Sequence, residues 1–147
     1  MTVVTIDQWL NNPMETRKYA LSLPFTTKGN YPGIRTRSFA DPDWIPIIEK
    51  YLPRGERVTW FDTHPFSYNG AFQMCVERDG SSWIHHDMTD WAAILFLGPP
   101  TSTPVDAGLT LYRHIPTGFI SSKQSQKKPS DAEYRDMTLW EDRKSVV

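Results

Sequence analysis

The sequence predicts an α+β or mainly β fold, with two N-terminal helices followed by antiparallel strands that form a sandwich or barrel. Three observations predict it. The strongest helix-start signals fall before Pro53, and the hydrophobic period changes from helical to alternating near Arg57. The 12 prolines, spread from Pro13 to Pro129, rule out a bundle of long helices. A chain of 147 residues is the size of one ordinary domain. The expected division is a helical part over 1–55, strands over 56–116, and a polar loop with a short helix over 117–147.

Each element has its own signal. Asn12, Pro13 and Glu15 read as an N-cap, a proline at the first helical position and an acid three residues on. Met14, Tyr19, Ala20 and Leu21 give that helix an apolar side, which Pro24 ends. A second start follows at Asp41-Pro42, where Trp44, Ile47, Ile48, Tyr51 and Leu52 share one helical face. Residues 57–61 and 71–77 are rich in β-branched and aromatic residues and predict strands. Asp79-Gly80 predicts a hairpin turn into a strand over 82–87. The run 91–97 is apolar throughout, as a strand buried on both faces would be, and 109–114 alternates. The polar stretch 121–130 predicts a mobile loop. Tyr134, Met137 and Trp140 then suggest a short helix from Asp131 to about Glu141, with no closing strand after it.

Composition excludes several classes of function. Sixteen basic against 17 acidic residues leave no general nucleic-acid footprint. No apolar run approaches the roughly 20 residues of a membrane span. The N-terminus has no basic stretch of the signal-peptide kind, and the single cysteine excludes an internal disulfide. A cytoplasmic protein is the expectation. Ile, Leu, Val and Phe make up about 22 % of the chain, so the six Trp, six Tyr and seven Phe must supply much of the core. Cys75, inside the 71–77 strand, is expected to be a small buried hydrophobe. Trp60, Phe61, Trp83 and Trp91 are expected to pack in a core rather than stack on bases. Neither a nucleophile-elbow motif nor a phosphate-cradling glycine loop is present.

The chemistry concentrates in His85, His86 and Asp87. On a strand, residues i and i+2 emerge on the same face, so His85 and Asp87 together could grip one metal ion. Two histidines and one carboxylate on one face, with positions left open, are what non-haem iron(II) oxygenases use. A polar hairpin end in which His85 and Asp87 are solvated, or bonded to each other, meets the same spacing. His86 points the other way and reads as a core-edge or surface histidine.

In this order the chain carries Tyr31-Pro32-Gly33-Ile34-Arg35-Thr36, Gly70-Ala71-Phe72-Gln73, Trp83-Ile84-His85-His86-Asp87, the apolar run 91–97, Ala107-Gly108 and Leu111-Tyr112-Arg113-His114. This set resembles a group of 2-oxoglutarate/iron(II) oxygenase-like proteins of phages and bacteria, within the prolyl-4-hydroxylase-like superfamily. The resemblance spans about residues 6–120. It implies N-terminal helices packed on a double-stranded β-helix (a jelly-roll, cupin-like), with iron(II) as cofactor and 2-oxoglutarate as cosubstrate. The substrate it implies is a small molecule or a protein side chain. Two features depart from the family pattern. Glu77 lies near where a cosubstrate-binding tyrosine is expected, and no histidine follows His114 to serve as the distal ligand.

Three forms fit these departures. The chain is a truncated oxygenase, incomplete at its C-terminal end. Or it is a short form that recruits His114 as third metal ligand and Arg113 or Arg35 as the cosubstrate's carboxylate partner. Or it is a non-catalytic jelly-roll, a binding or virion-associated structural domain that has lost the third ligand. An incomplete barrel leaves an open sheet edge, so a homodimer that covers the edge is the expected assembly.

Overall fold

The computed structural model describes residues 3–80, 83–87, 89–99, 108–120 and 127–146, with side chains as far as 143. The architecture is mixed α and β with small antiparallel sheets. In order come α1 (Pro13–Ser22), β1 (Ile34–Ser38), a 3-10 turn (Pro42–Trp44) running into α2 (Ile45–Glu49), and β2 (Ala71–Met74). They are followed by a 3-10 turn (Glu77–Asp79), β3 (Leu109–His114), α3 (Asp131–Arg135), a 3-10 turn (Met137–Leu139) and β4 (Trp140–Val146). The chain divides into two compact units, Val4–Ser82 and Met1–Val3 with Trp83–Val147. Among the described residues, no helix is long and apolar enough to cross a membrane.

In the unit Val4–Ser82, the cap of α1 forms as expected: Asn12 Oδ1 accepts the Glu15 N–H at 3.3 Å, and Pro13 opens the helix. Tyr19 carries α1 onto the sheet, its ring lying edge-on to Phe39 and to Phe72 of β2 at 6.1 and 6.4 Å. The strands β1 and β2 pair antiparallel, Ile34 opposite Met74 and Arg35 opposite Gln73, with a register break before Ser38 and Ala71. The buried Thr36 bridges that break, because its hydroxyl accepts the Phe72 N–H at 3.1 Å and donates to the Arg37 carbonyl at 2.7 Å. Gly33 enters β1 at φ +77°, and a Cβ there would collide with the Met74 carbonyl oxygen. Only glycine serves at that point.

The core of the other unit comprises Ile84, Phe119, Tyr134 and Trp140, with Tyr112 and Leu139 against them. β3 and β4 pair antiparallel from Leu109 opposite Val146 to His114 opposite Trp140, with a bulge after Leu111. The helix α3 starts with a full capping box between Ser130 and Glu133. Trp140 Nε1 donates to the Glu133 carbonyl at 2.8 Å, tying the first residue of β4 to α3.

Several sequence expectations are corrected. The short helix ends at Arg135, a 3-10 turn follows over Met137–Leu139, and Trp140–Val146 form the strand β4, where no closing strand was expected. The sequence Trp140-Glu141-Asp142-Arg143 shows one apolar residue among charges, so only its pairing with β3 reveals it as a strand. The expected strand at 57–61 is irregular, and the one at 71–77 stops at Met74. Residues 83–87 carry no strand, and Ser81 and Ser82 lie outside the described residues. The apolar run 91–97 is not a buried strand. Ile94, Leu95 and Phe96 are 57, 47 and 46 % exposed, and among the described residues no strand pairs with it. A strand apolar on both faces needs cover on both, and no sheet of the described residues provides it. Cys75 is exposed, as are Trp60 and Trp83. The expected loop over 121–130 lies outside the described residues as far as Gln126.

Removal of the Trp140 ring opens a cavity beside His114 and Tyr134. Trp140→Ala is therefore expected to destabilise its unit by about 3–5 kcal/mol, measured by urea unfolding. Gly33→Ala is expected to lower the unfolding midpoint through the β1–β2 pairing.

Candidate functional site

His85 and Asp87 stand on an irregular segment, yet their side chains meet: His85 Nε2 lies 3.8 Å from Asp87 Oδ1. His85 Nδ1 is 3.0 Å from the Trp83 carbonyl oxygen. A carbonyl can only accept, so Nδ1 carries a proton, and Nε2 is the nitrogen that faces Asp87. Both side chains are more than half exposed, so neither is held in a closed pocket. Bonds of about 2.1 Å to one ion at a right angle would set nitrogen and oxygen about 3 Å apart, within reach of small rotamer changes from the observed spacing.

His86 turns away from this pair, into the aromatic core. The Tyr134 hydroxyl and His86 Nδ1 are 2.9 Å apart, the two rings stack at 5.7 Å, and Phe119 meets the imidazole edge-on. Burial, followed by the charge of Lys128, holds His86 below its usual 6.5. Burial, followed by the Asp131 carboxylate, raises the Tyr134 phenol above 10.0. At neutral pH His86 is therefore uncharged.

His114 does not join His85 and Asp87. It is 0 % exposed and closes β3 inside the core, its ring 4.8 Å from that of Trp140. Its Nδ1 is 2.8 Å from Thr117 Oγ1, and its Nε2 faces Glu133 Oε1 at 3.9 Å. Among the described residues, no three His, Cys, Asp or Glu side chains gather as a metal group. Arg113, on β3, is paired with Glu141 of β4. Arg35 belongs to the unit Val4–Ser82, where its Nε donates to Gln73 Oε1 at 2.7 Å. Its guanidinium lies over the rings of Tyr31 and Tyr68, 3.6 and 4.3 Å from their centroids. Among the described residues, three buried side-chain nitrogens have no hydrogen-bond partner: NH1 of Arg35, Nε of Arg113 and Nε2 of His114.

Sequence reasoning missed the grouping of His114, Thr117 and Glu133. Ser130-x-x-Glu133 is a capping-box signature, and it places Glu133 one turn into a helix. Nothing in the sequence brings that turn to His114. No family model, curated protein or solved structure matches the chain.

A histidine whose folded state favours the neutral form binds fewer protons folded than unfolded. Stability is then lost as pH falls through 6.5, and the loss is complete below the depressed value. The urea midpoint is expected to fall on acidification through that value, and His86→Gln is expected to flatten that part of the profile.

Proposed function

We propose that the chain is an iron(II)/2-oxoglutarate oxygenase-like domain whose His85 and Asp87 supply two metal ligands. The observation that carries this reading is the 3.8 Å approach of His85 Nε2 and Asp87 Oδ1, with Nδ1 occupied by the Trp83 carbonyl. An imidazole oriented by a carbonyl on its far nitrogen is the usual arrangement of a metal-binding histidine. One nitrogen and one carboxylate oxygen suit iron(II) and leave most of its positions open. The bound metal would supply O₂ activation, coupled to oxidation of 2-oxoglutarate to succinate and CO₂ and hydroxylation of a C–H bond. The chain's own contribution is the ligand pair and an arginine for the cosubstrate's far carboxylate. Arg113, in the same unit as His85 and Asp87, is the candidate, since its buried Nε has no hydrogen-bond partner among the described residues. In this reading the fold is a jelly-roll, the location cytoplasmic, and a second copy covers the open sheet edge.

The donor set fits the metal only in part. Two ligands are present, and His114, the expected third, is engaged with Thr117 and Glu133 in the core. That engagement favours a second reading, in which the domain is non-catalytic and binds or assembles without turnover.

Anaerobic titration with iron(II) tests the first statement. The expected result is saturable, roughly one-to-one binding, lost in His85→Ala and in Asp87→Ala and kept in His86→Ala. Absence of saturable binding would overturn the metal assignment. Succinate release from 2-oxoglutarate then separates the two readings: release supports the oxygenase, and iron binding without release supports the non-catalytic domain.

A further inference from the structure

The geometry points to a second reactive centre in the unit that carries β3 and β4: Thr117 is an acyl-accepting nucleophile, His114 its base, and Glu133 the residue that positions the base. The inference goes beyond the oxygenase reading and uses none of its residues.

The turn after β3 has two backbone hydrogen bonds of its own: Gly118 N–H donates to the His114 carbonyl at 2.7 Å and His114 N–H donates to the Phe119 carbonyl at 2.9 Å. An apolar side chain at 114 would fill the core without the cost of burying two ring nitrogens. The imidazole is nonetheless there, fully buried, with a hydroxyl hydrogen-bonded at Nδ1 and with Nε2 lacking a hydrogen-bond partner and facing a carboxylate 3.9 Å away. Thr117 Oγ1 already accepts the Phe119 N–H at 3.3 Å, which frees its own proton for His114 Nδ1. The protonated nitrogen of the ring is then Nε2, directed at Glu133 Oε1.

Glu133 is built for this position. Its Oε2 accepts the N–H and hydroxyl of Ser130, both at 2.7 Å, which leaves Oε1 for His114. The same Ser130 contacts hold its carboxyl below 4.5, so it is ionised at neutral pH. A spacing of 3.9 Å is long for a hydrogen bond, and such contacts tighten when the imidazole gains its charge. Hydroxyl, imidazole and carboxylate in this order make up the activation relay of acyl-transfer enzymes, recognised by geometry rather than sequence order. Thr117 is half-buried, whereas the His114 imidazole bonded to its hydroxyl is 0 % exposed.

The substrate class is an activated ester or thioester. Thr117 Oγ forms a bond to the acyl carbon, and the hydroxyl proton passes to His114 Nδ1. The carbon–oxygen or carbon–sulfur bond of the donor breaks, and its electron pair leaves with the alkoxide or thiolate. The product is an acyl-threonine ester. Water then attacks the acyl carbon, the bond from that carbon to Thr117 Oγ breaks, the proton on His114 Nδ1 returns to Oγ, and the acyl group leaves as the carboxylic acid.

The test treats the full chain with 4-nitrophenyl acetate in the presence of a chelator, followed by peptide mass mapping. The chelator makes the outcome independent of iron binding. The expected result is an acetyl group on Thr117, kept in Thr117→Ser and absent at that position in Thr117→Val. His114→Gln is expected to slow acetylation roughly 10²–10⁴-fold. Because a buried substitution can unfold the unit, Glu133→Ala is the second variant: acetylation slows, and added formate restores it, which loss of a purely structural contact would not allow. Acetyl groups confined to lysines, or wild-type release of 4-nitrophenolate by Thr117→Val, would overturn the inference.

Discussion

The unit that holds β3 and β4 is organised around one constraint: the imidazole of His114 is sealed from water, with a hydrogen-bond partner at Nδ1 and none at Nε2 among the described residues. An unpaired buried polar nitrogen costs about 1–3 kcal/mol, a cost that Thr117 removes at Nδ1 and that the ionised Glu133 carboxylate, 3.9 Å away, offsets at Nε2 only through charge. The turn after β3 returns Thr117 to one nitrogen, and α3 brings Glu133 toward the other. Trp140 begins β4 by covering the ring and by donating its indole N–H to the Glu133 carbonyl. Strand, turn and helix therefore meet at one side chain. The stacked Tyr134 and Trp140, 5.2 Å apart, extend the contact to His86.

The sequence was legible where local chemistry decides the structure. The Asn12-Pro13-Glu15 start, the Asp41-Pro42 start and the alternation over 109–114 each depend on neighbours in the chain, and each marks an element. It was illegible where a distant partner decides. β4 is a strand because β3 pairs with it, and its charged residues show no alternation of their own. The run 91–97 has the composition of a core strand, but composition cannot supply the sheets that would cover it. Cys75 reads as buried from its strand-like neighbours, yet β2 stops at Met74 and leaves it exposed.

The candidate site shows the same division. His85 and Asp87 were identified through strand periodicity, and their side chains do approach, but on an irregular segment held by the Trp83 carbonyl. The expected third ligand went elsewhere for a physical reason. A histidine at the inward end of a strand is drawn into whatever polar network the core provides, and Thr117 and Glu133 provide one. Two histidines that the sequence offers to one metal thus serve different environments, His85 at the surface and His114 in the dry interior. The imidazole between them in sequence, His86, serves neither and packs as an aromatic ring hydrogen-bonded with the Tyr134 hydroxyl.

The central claim, that His114 is the shared polar partner of the turn and of α3, fixes which ring nitrogen carries the proton. Long-range nitrogen–proton correlation NMR of the imidazole, on the full chain at neutral pH, reads this tautomer directly. The account expects His114 with its proton on Nε2 and with Nδ1 accepting from Thr117, and it expects Thr117→Val to perturb the Nδ1 resonance. A proton on Nδ1, or a ring indifferent to Thr117→Val, would contradict it.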